Sequence, residues 1–211
     1  KHRPTLDFAL FLAIFLVLLT VNSSAWLAAS AKTISKQDKA TDQLRPVRDD
    51  VGFCWNPDSM KILVDYLAAH EKETFRSEGL VAAISPHDDY LYAGRLYYPL
   101  FNLIRAKEVV VFGVTHGTVR QEIKGLDSVL VLDGYNLWPG VLKPVKVSPL
   151  REYIKSQLKP AYFVVNNRAH ELEHSIEALL PFLQYFNPEA KITPVMVAPM
   201  PLDKMEEIAA D

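Results

Sequence analysis

The stretch EVVVFGVTHG at residues 108–117 decides the fold class of this chain. Its apolar run is typical of a strand buried on both faces of a parallel sheet. A second short apolar run, LVAAI at residues 80–84, lies about 25 residues earlier, and the segment between the two holds a predicted helix from Arg95 to Arg105. Apolar runs joined by a helix indicate a layered α/β/α domain with a central, mostly parallel sheet.

The rest of the chain continues this alternation. An apolar set with helical spacing follows Pro57-Asp58 and predicts a helix over residues 58–72. Three more strands are predicted at residues 128–132, 162–165 and 192–197. One more helix is predicted at residues 149–158. We place one α/β domain at residues 51–211. Because an amphipathic pattern is still running at Asp211, we expect this domain to be incomplete at its C-terminus.

Composition and charge fit an ordinary folded domain. The 211 residues are 49% hydrophobic and 23% charged, and the formal net charge is -2. The chain can therefore bury a core, and it has no charge excess that would indicate a nucleic-acid partner. The single cysteine, Cys54, cannot form an intrachain disulfide and is interpreted as a small buried apolar residue. Whether a small molecule or a protein is the ligand stays open.

The first 31 residues have the features of an export signal. A positive start, Lys1-His2-Arg3, precedes an apolar run of 14 residues at positions 8–21, and small residues follow at 23–25 and 29–31. An uncleaved membrane anchor is the alternative, because residues 8–27 are about long enough to cross a bilayer. The polar residues 32–50 then predict a linker. We expect a periplasmic or extracellular protein, or one held at the membrane only through this N-terminal segment.

Two histidines follow the first two predicted strands. His87 lies in SPHDDY (residues 85–90) and His116 in THG (residues 115–117). The carboxyl ends of parallel strands form the ligand crevice of open α/β sheets, so two imidazoles there could bind a divalent transition metal. Each could equally be a hydrogen-bonded loop residue. Asp88 and Asp89 could orient His87 or act as an acid/base pair, or they could form a turn.

The segment HELEH at residues 170–174 matches the H-E-x-x-H pattern of zinc proteases. That function needs one helix through both histidines and a third ligand downstream. Glu177 stands where the extended protease motif has glycine, and Pro181 interrupts a helix running on from His174. Ser175 is a plausible N-cap for a helix that begins after the histidines. We therefore interpret the match as accidental and expect both His170 and His174 to lie on the loop before that helix.

Four motifs in the same order resemble those of the Memo family. Residues 173–183 (EHSIEALLPFL) resemble its E-H-S-[IL]-E-x-x-L-P-[FY]-L motif, and many bacterial members have a histidine where His170 stands here. Residues 85–94 (SPHDDYLYAG) resemble its P-H-A-G-Y-x-[YF]-S-G segment, and residues 112–116 (FGVTH) resemble its G-P-S-H segment. Arg48 with GFCWNP at residues 52–57 is similar to the family's opening Arg and F-Y-P element.

This resemblance implies a fold and a site. Memo proteins are similar in fold to the class III extradiol (LigB-like) dioxygenases, and many bacterial members are labelled protein B of the AmmeMemoRadiSam system. The resemblance implies that His87 and His116 correspond to two histidines of the family's metal pocket, whose further residues would fall after Asp211. The remaining pocket candidates are Asp88, Asp89, Tyr90, His170, Glu173 and His174.

The chain also departs from the family's pattern. Asp88-Asp89 replaces the usual Ala-Gly, Gly117 replaces a common second histidine, and Ser148 stands where an aspartate is frequent. Two extra carboxylates beside a metal-site histidine would favour a hard divalent ion such as Fe(II) or Mn(II) over a soft one.

Three functions follow from these residues. The first is a Memo-like protein that holds iron or copper between His87 and His116 and has a redox-type role. The second is an extradiol-type Fe(II) dioxygenase, which requires two histidines and one carboxylate on the iron. The third is a non-catalytic module that binds a small ligand or a peptide in the pocket. Whether the protein is an enzyme, and which reaction it would catalyse, stays open.

Overall fold

The computed structural model describes residues 42–71 and 80–211 of the chain. In chain order the elements are α1 (Pro57–His70), α2 (Tyr90–Phe101), β1 (Glu108–Val114), α3 (Gly117–Glu122), β2 (Leu130–Leu132), β3 (Leu137–Trp138), β4 (Val145–Lys146), α4 (Leu150–Gln157), β5 (Phe163–Val165), α5 (Asn167–Glu171), a short 3-10 helix (Glu177–Leu179), α6 (Leu180–Phe186), β6 (Lys191–Val197) and α7 (Leu202–Ala209). The predicted export segment, residues 1–31, and residues 32–41 of the predicted linker lie outside the described residues.

In the part of the chain that the structure describes, the central sheet has four strands in the order β1-β6-β2-β5. β1 pairs in parallel with β6 from Glu108 opposite Lys191 to Val114 opposite Val197, and β2 pairs in parallel with β5. Within this sheet, as far as residues 42–71 and 80–211 show, only the contact between β2 and β6 is antiparallel. The sheet is therefore mostly parallel, which confirms the predicted α/β class. β3 and β4 form a separate antiparallel pair that was not predicted, since strands of two residues carry no usable periodicity.

Most predicted elements are present with shifted ends. α1 begins where expected because Asn56 caps it, with its side chain accepting the backbone N–H of Ser59 at 2.9 Å. The helix predicted at 95–105 instead runs from Tyr90 to Phe101. Its buried side chains recur at helical spacing from its first residue, at Tyr90, Ala93, Tyr97 and Phe101. The helix therefore starts only three residues after His87.

The strand predicted at residues 80–84 is absent. This segment has no regular structure, and its side chains face solvent, with Val81 76% and Ile84 90% exposed. An apolar run becomes a strand only if a neighbouring strand supplies backbone hydrogen bonds. Among the described residues β1 pairs with β6 alone, and residues 80–84 pair with neither β1 nor any other strand. The prediction of a strand before His87 was wrong for this reason.

An aromatic cluster fixes α2 against α6 and so positions the residues before α2. The Phe182 side chain is fully buried, and its ring lies 5.3 Å from Tyr97 and 4.8 Å from Tyr90 between centroids. One face of β1 is partly exposed, with Val110 at 37% and Val114 at 44%, so the expectation of a strand buried on both faces is wrong for β1. Within residues 42–71 and 80–211, none of the helices is both long and apolar enough to span a bilayer.

The described part of the predicted linker packs against the domain. We call residues 43–56 the N-terminal strap. Its Arg45 is completely buried, forms an ion pair with Glu177, and places its guanidinium 4.4 Å from the centre of the Trp138 ring. Arg48, the arginine of the predicted opening motif, has an exposed side chain whose Nε donates to the Leu172 carbonyl at 3.4 Å. The packed unit therefore begins before residue 50, because a buried guanidinium anchors the strap.

Candidate metal centre

Three histidines from separate parts of the chain converge at one edge of the sheet. His87 lies just before α2, His116 directly follows β1, and His174 lies on the loop between α5 and the 3-10 helix. In the described residues, one ring nitrogen from each lies within 4.8 Å of the other two. The Nε2 atoms of His87 and His116 are 3.1 Å apart. The sequence predicted the convergence of His87 with His116 and included His174 among the pocket candidates.

The loop that carries His174 is held against the end of β1. The Ser175 hydroxyl accepts the Val114 N–H at 3.1 Å and donates to the Val114 carbonyl at 3.2 Å. Gly113 makes this approach possible, because a Cβ atom there would lie 2.6 Å from both Ser175 and Ile176. Ser175 was expected to cap a helix starting at Ile176. It does not, since the sheet uses its hydroxyl and the 3-10 helix begins only at Glu177.

Glu173 orients His116. Its Oε1 lies 2.7 Å from His116 Nδ1, and its Oε2 accepts the His116 backbone N–H at 2.8 Å. Oε1 also accepts the backbone N–H groups of His174 and Ser175, both at 2.9 Å. Burial raises the pKa of this carboxyl, but these hydrogen bonds outweigh it and leave the pKa below its usual value. With Nδ1 held by a carboxylate, the Nε2 lone pair of His116 is directed at the other histidines.

Asp49 makes a matching contact with His174. Its Oδ2 lies 3.2 Å from His174 Nδ1, and both side chains are partly exposed. Two of the three imidazoles thus have a carboxylate at Nδ1, the arrangement that fixes metal-binding histidines in many proteins. Asp49 was missed by the sequence analysis. It lies 125 positions before His174, and no spacing pattern could connect the two.

The electrostatics at His87 favour a neutral imidazole. Burial lowers the pKa of His87, and the positive charges that His116 and His174 would carry when protonated lower it further. A neutral ring keeps the lone pair that a metal ion needs. His87 therefore has the protonation state of a metal ligand.

The two aspartates beside His87 have other contacts. Asp88 is exposed, and its Oδ1 accepts the Asp89 backbone N–H at 2.8 Å, as in a turn. The Asp89 carboxylate packs against Gly52, whose φ of 83° and missing Cβ leave room for it. Neither carboxylate belongs to the group of donors formed by the three histidines. The predicted preference for a hard ion therefore loses its structural basis.

Two other candidates lie in the core. The Tyr90 side chain is buried, and its hydroxyl donates to the Ala178 carbonyl at 2.7 Å. Burial raises the pKa of Tyr90 well above its usual value, so this hydroxyl keeps its proton. His170 is fully buried on α5, with Nε2 3.0 Å from the Val131 carbonyl and its ring 5.7 Å from that of Trp138. Both side chains are buried in the core beside the site, and neither lines the site.

The position of His170 also settles the zinc-protease hypothesis. α5 ends at Glu171, so His170 and His174 do not share a helix. Glu171, the residue that would act as the protease base, accepts a hydrogen bond from the Tyr135 hydroxyl. The expectation that HELEH is an accidental match is confirmed, although the cause is the early end of α5 and not a cap at Ser175. The expectation that both histidines lie on a loop is wrong for His170, which lies on α5.

His170 makes stability depend on pH. Burial lowers its pKa to about 4 from an ordinary 6.5. As the pH falls, His170 of the unfolded chain binds a proton near pH 6.5, whereas His170 of the folded protein binds one only near pH 4. The free energy of unfolding therefore decreases as the pH falls from about 6.5 to about 4. We expect about 3 kcal/mol less stability from this residue at pH 4 than at pH 7. Denaturant unfolding of wild type and His170→Gln at both pH values measures it; identical pH slopes would contradict it.

The fold and the site together define an α/β protein with a three-histidine candidate metal centre at the edge of a mostly parallel sheet. The chain belongs to the Memo-like protein family, whose model matches residues 55–211.

Proteins from archaea and bacteria are similar to this chain. A MEMO1 family protein of Archaeoglobus fulgidus is 28% identical over 159 residues, covering 74% of this chain and 54% of that protein. A MEMO1 family protein of Saccharolobus islandicus is 27% identical over 169 residues, covering 73% and 56%. A MEMO1 family protein of Aquifex aeolicus is 32% identical over 139 residues, covering 64% and 47%. The chain thus spans about half the length of the curated relatives it matches.

Proposed function

We propose that this protein binds one divalent transition-metal ion through His87, His116 and His174. The observation that carries the proposal is the convergence of three ring nitrogens within 4.8 Å, contributed by three separate segments. Imidazole nitrogen is a good ligand for iron, copper and zinc. The donor set therefore fits the metal pocket that family membership implies.

The surrounding residues fit the same role. Glu173 and Asp49 hold two of the rings by Nδ1, so the Nε2 atoms are left as donors. In the His87–His116 pair, the Nε2–H of one ring donates a hydrogen bond to the Nε2 of the other. A bound ion would replace the proton of that hydrogen bond. We propose iron or copper as the resident ion; bound there, it would supply one-electron redox chemistry.

A metal-binding titration tests the proposal. We expect Fe(II), Cu(II) and Zn(II) each to bind at one ion per chain and to raise the unfolding temperature, because an ion that binds only the folded state stabilises it by mass action. At a free metal concentration 100 times Kd the gain is about 2.7 kcal/mol. The matched control is His70→Ala, which removes an exposed histidine at the end of α1 and should leave the titration unchanged.

The outcome also separates the alternatives. A non-catalytic ligand-binding module would show no change in stability with any of the three metals. The extradiol dioxygenase hypothesis needs a carboxylate ligand, whereas the grouped donors in the described residues are three imidazoles. No contact in the described part of the chain favours that hypothesis over the three-histidine centre.

A further inference from the structure

The N-terminal strap contacts two of the three histidine-bearing segments. The Gly52 carbonyl accepts the Tyr90 backbone N–H at 2.8 Å, three residues after His87. The Phe53 ring lies between Tyr90, at 5.3 Å, and His174, at 6.1 Å between ring centroids. The strap therefore packs beside the three-histidine site.

Asp49 is the point where the strap reaches a histidine, and it is held rigidly. Its backbone N–H donates to Glu177 at 2.8 Å, and its carbonyl accepts the Trp55 indole N–H at 3.0 Å. Its Oδ1 accepts the Val51 N–H at 3.1 Å, which leaves Oδ2 for His174. A carboxylate fixed in this way is oriented before any ion binds.

The loop on the other side of this contact is held by the same strap. The Arg45 guanidinium donates to the His170 carbonyl at 3.0 and 2.6 Å and to the Glu173 carbonyl at 2.5 Å. These carbonyls lie just before His174. Arg45 and Asp49 thus fix the backbone and the ring of the same short segment.

We infer that Asp49 is the positioning residue of His174, and that metal occupancy and docking of the strap are thermodynamically linked through this contact. The inference rests on the proposed metal site. The physical reason is reciprocal: a carboxylate at Nδ1 strengthens the other ring nitrogen as a ligand, and an ion on that nitrogen polarises Nδ1–H and strengthens its bond to Asp49. Any change that undocks the strap would weaken metal binding, and loss of the ion would weaken the packing of the strap against the domain.

Affinity for Zn(II), measured by competition with a chromophoric chelator, is the first test. We expect Asp49→Ala to bind about 10- to 100-fold more weakly than wild type, the usual cost of removing such a partner. Asp49→Asn keeps an acceptor oxygen and should fall between the two. Asp50→Asn is the matched control: it removes the same charge from the adjacent exposed residue and should equal wild type.

The metal-free protein supplies a second readout. Long-range proton–nitrogen NMR of the histidine rings should show His174 protonated at Nδ1 in wild type and a shift toward the Nε2–H tautomer in Asp49→Ala. Hydrogen exchange in residues 45–52 should slow when Zn(II) is added to wild type and change less in the variant. Unchanged His174 tautomer in Asp49→Ala would overturn the inference, as would equal weakening of Zn(II) binding by Asp50→Asn.

These readouts separate the two proposals. If wild type binds no metal, the proposed function fails, and the tautomer measurement still decides whether Asp49 orients His174. If wild type binds Zn(II) and Asp49→Ala binds it within about twofold of wild type, metal binding stands and the linkage is wrong.

Discussion

Replacing His116 by alanine should weaken metal binding more than about 100-fold. Loss of a residue that merely orients a ligand costs up to about that factor, and His116 is itself a proposed ligand. The Nε2 of His116 lies 3.1 Å from the Nε2 of His87, and Glu173 contacts the Nδ1 of His116. The measurement is the Kd for Zn(II), with Fe(II) and Cu(II) as further probes.

The fold should survive this change. The His116 side chain is 43% exposed, and Glu173 keeps its backbone N–H donors when the imidazole is removed. We expect the unfolding free energy of the metal-free variant to differ from that of wild type by less than about 1 kcal/mol. The exposed His70→Ala variant is the control for the loss of any histidine. Equal affinity of wild type and His116→Ala would remove His116 from the metal centre.

Replacing Glu177 by glutamine should be strongly destabilising. The ion pair between Arg45 and Glu177 has no solvent exposure on either side chain. Removing one charge leaves a buried guanidinium uncompensated, which typically costs 3–5 kcal/mol. The Glu177 carboxylate also accepts the backbone N–H groups of Arg48 and Asp49, so the strap should loosen as well. Denaturant unfolding and hydrogen exchange of residues 43–56 measure the two effects.

An exposed glutamate provides the comparison. Glu189 pairs with Lys143 but is 82% exposed, and surface ion pairs contribute little. Glu189→Gln should therefore change the unfolding free energy by less than about 1 kcal/mol. If Glu177→Gln proved no more destabilising than Glu189→Gln, the buried pair would not be what anchors the strap.

The parts of the structure that rest on local patterns could be predicted. The continuous apolar run at residues 108–114 predicts a strand, and β1 has those bounds in the structure. His116 comes directly after that strand, so its place at the sheet edge could be read from the sequence. Glu173 and His174 could be identified only because their motif resembles a known family, since the sequence does not show which way a loop points.

The parts that rest on distant contacts could not be predicted. Arg45 and Asp49 lie in a polar stretch that has the composition of a linker, and their partners are more than 120 positions away. What packs them is a buried ion pair, which leaves no periodic trace in the sequence. The error at residues 80–84 is the reverse case: a strand-like pattern is present in the sequence, but these residues pair with no strand of the described structure.

The most direct test of the three-histidine centre is a crystal structure of the metal-loaded protein with anomalous data at the absorption edge of the ion. The account predicts one anomalous peak at about 2.0–2.1 Å, for Zn(II), from a ring nitrogen of each of His87, His116 and His174. It also predicts that Glu173 and Asp49 stay on the Nδ1 atoms of His116 and His174. A peak bound elsewhere, or none between these three rings at a saturating metal concentration, would contradict it.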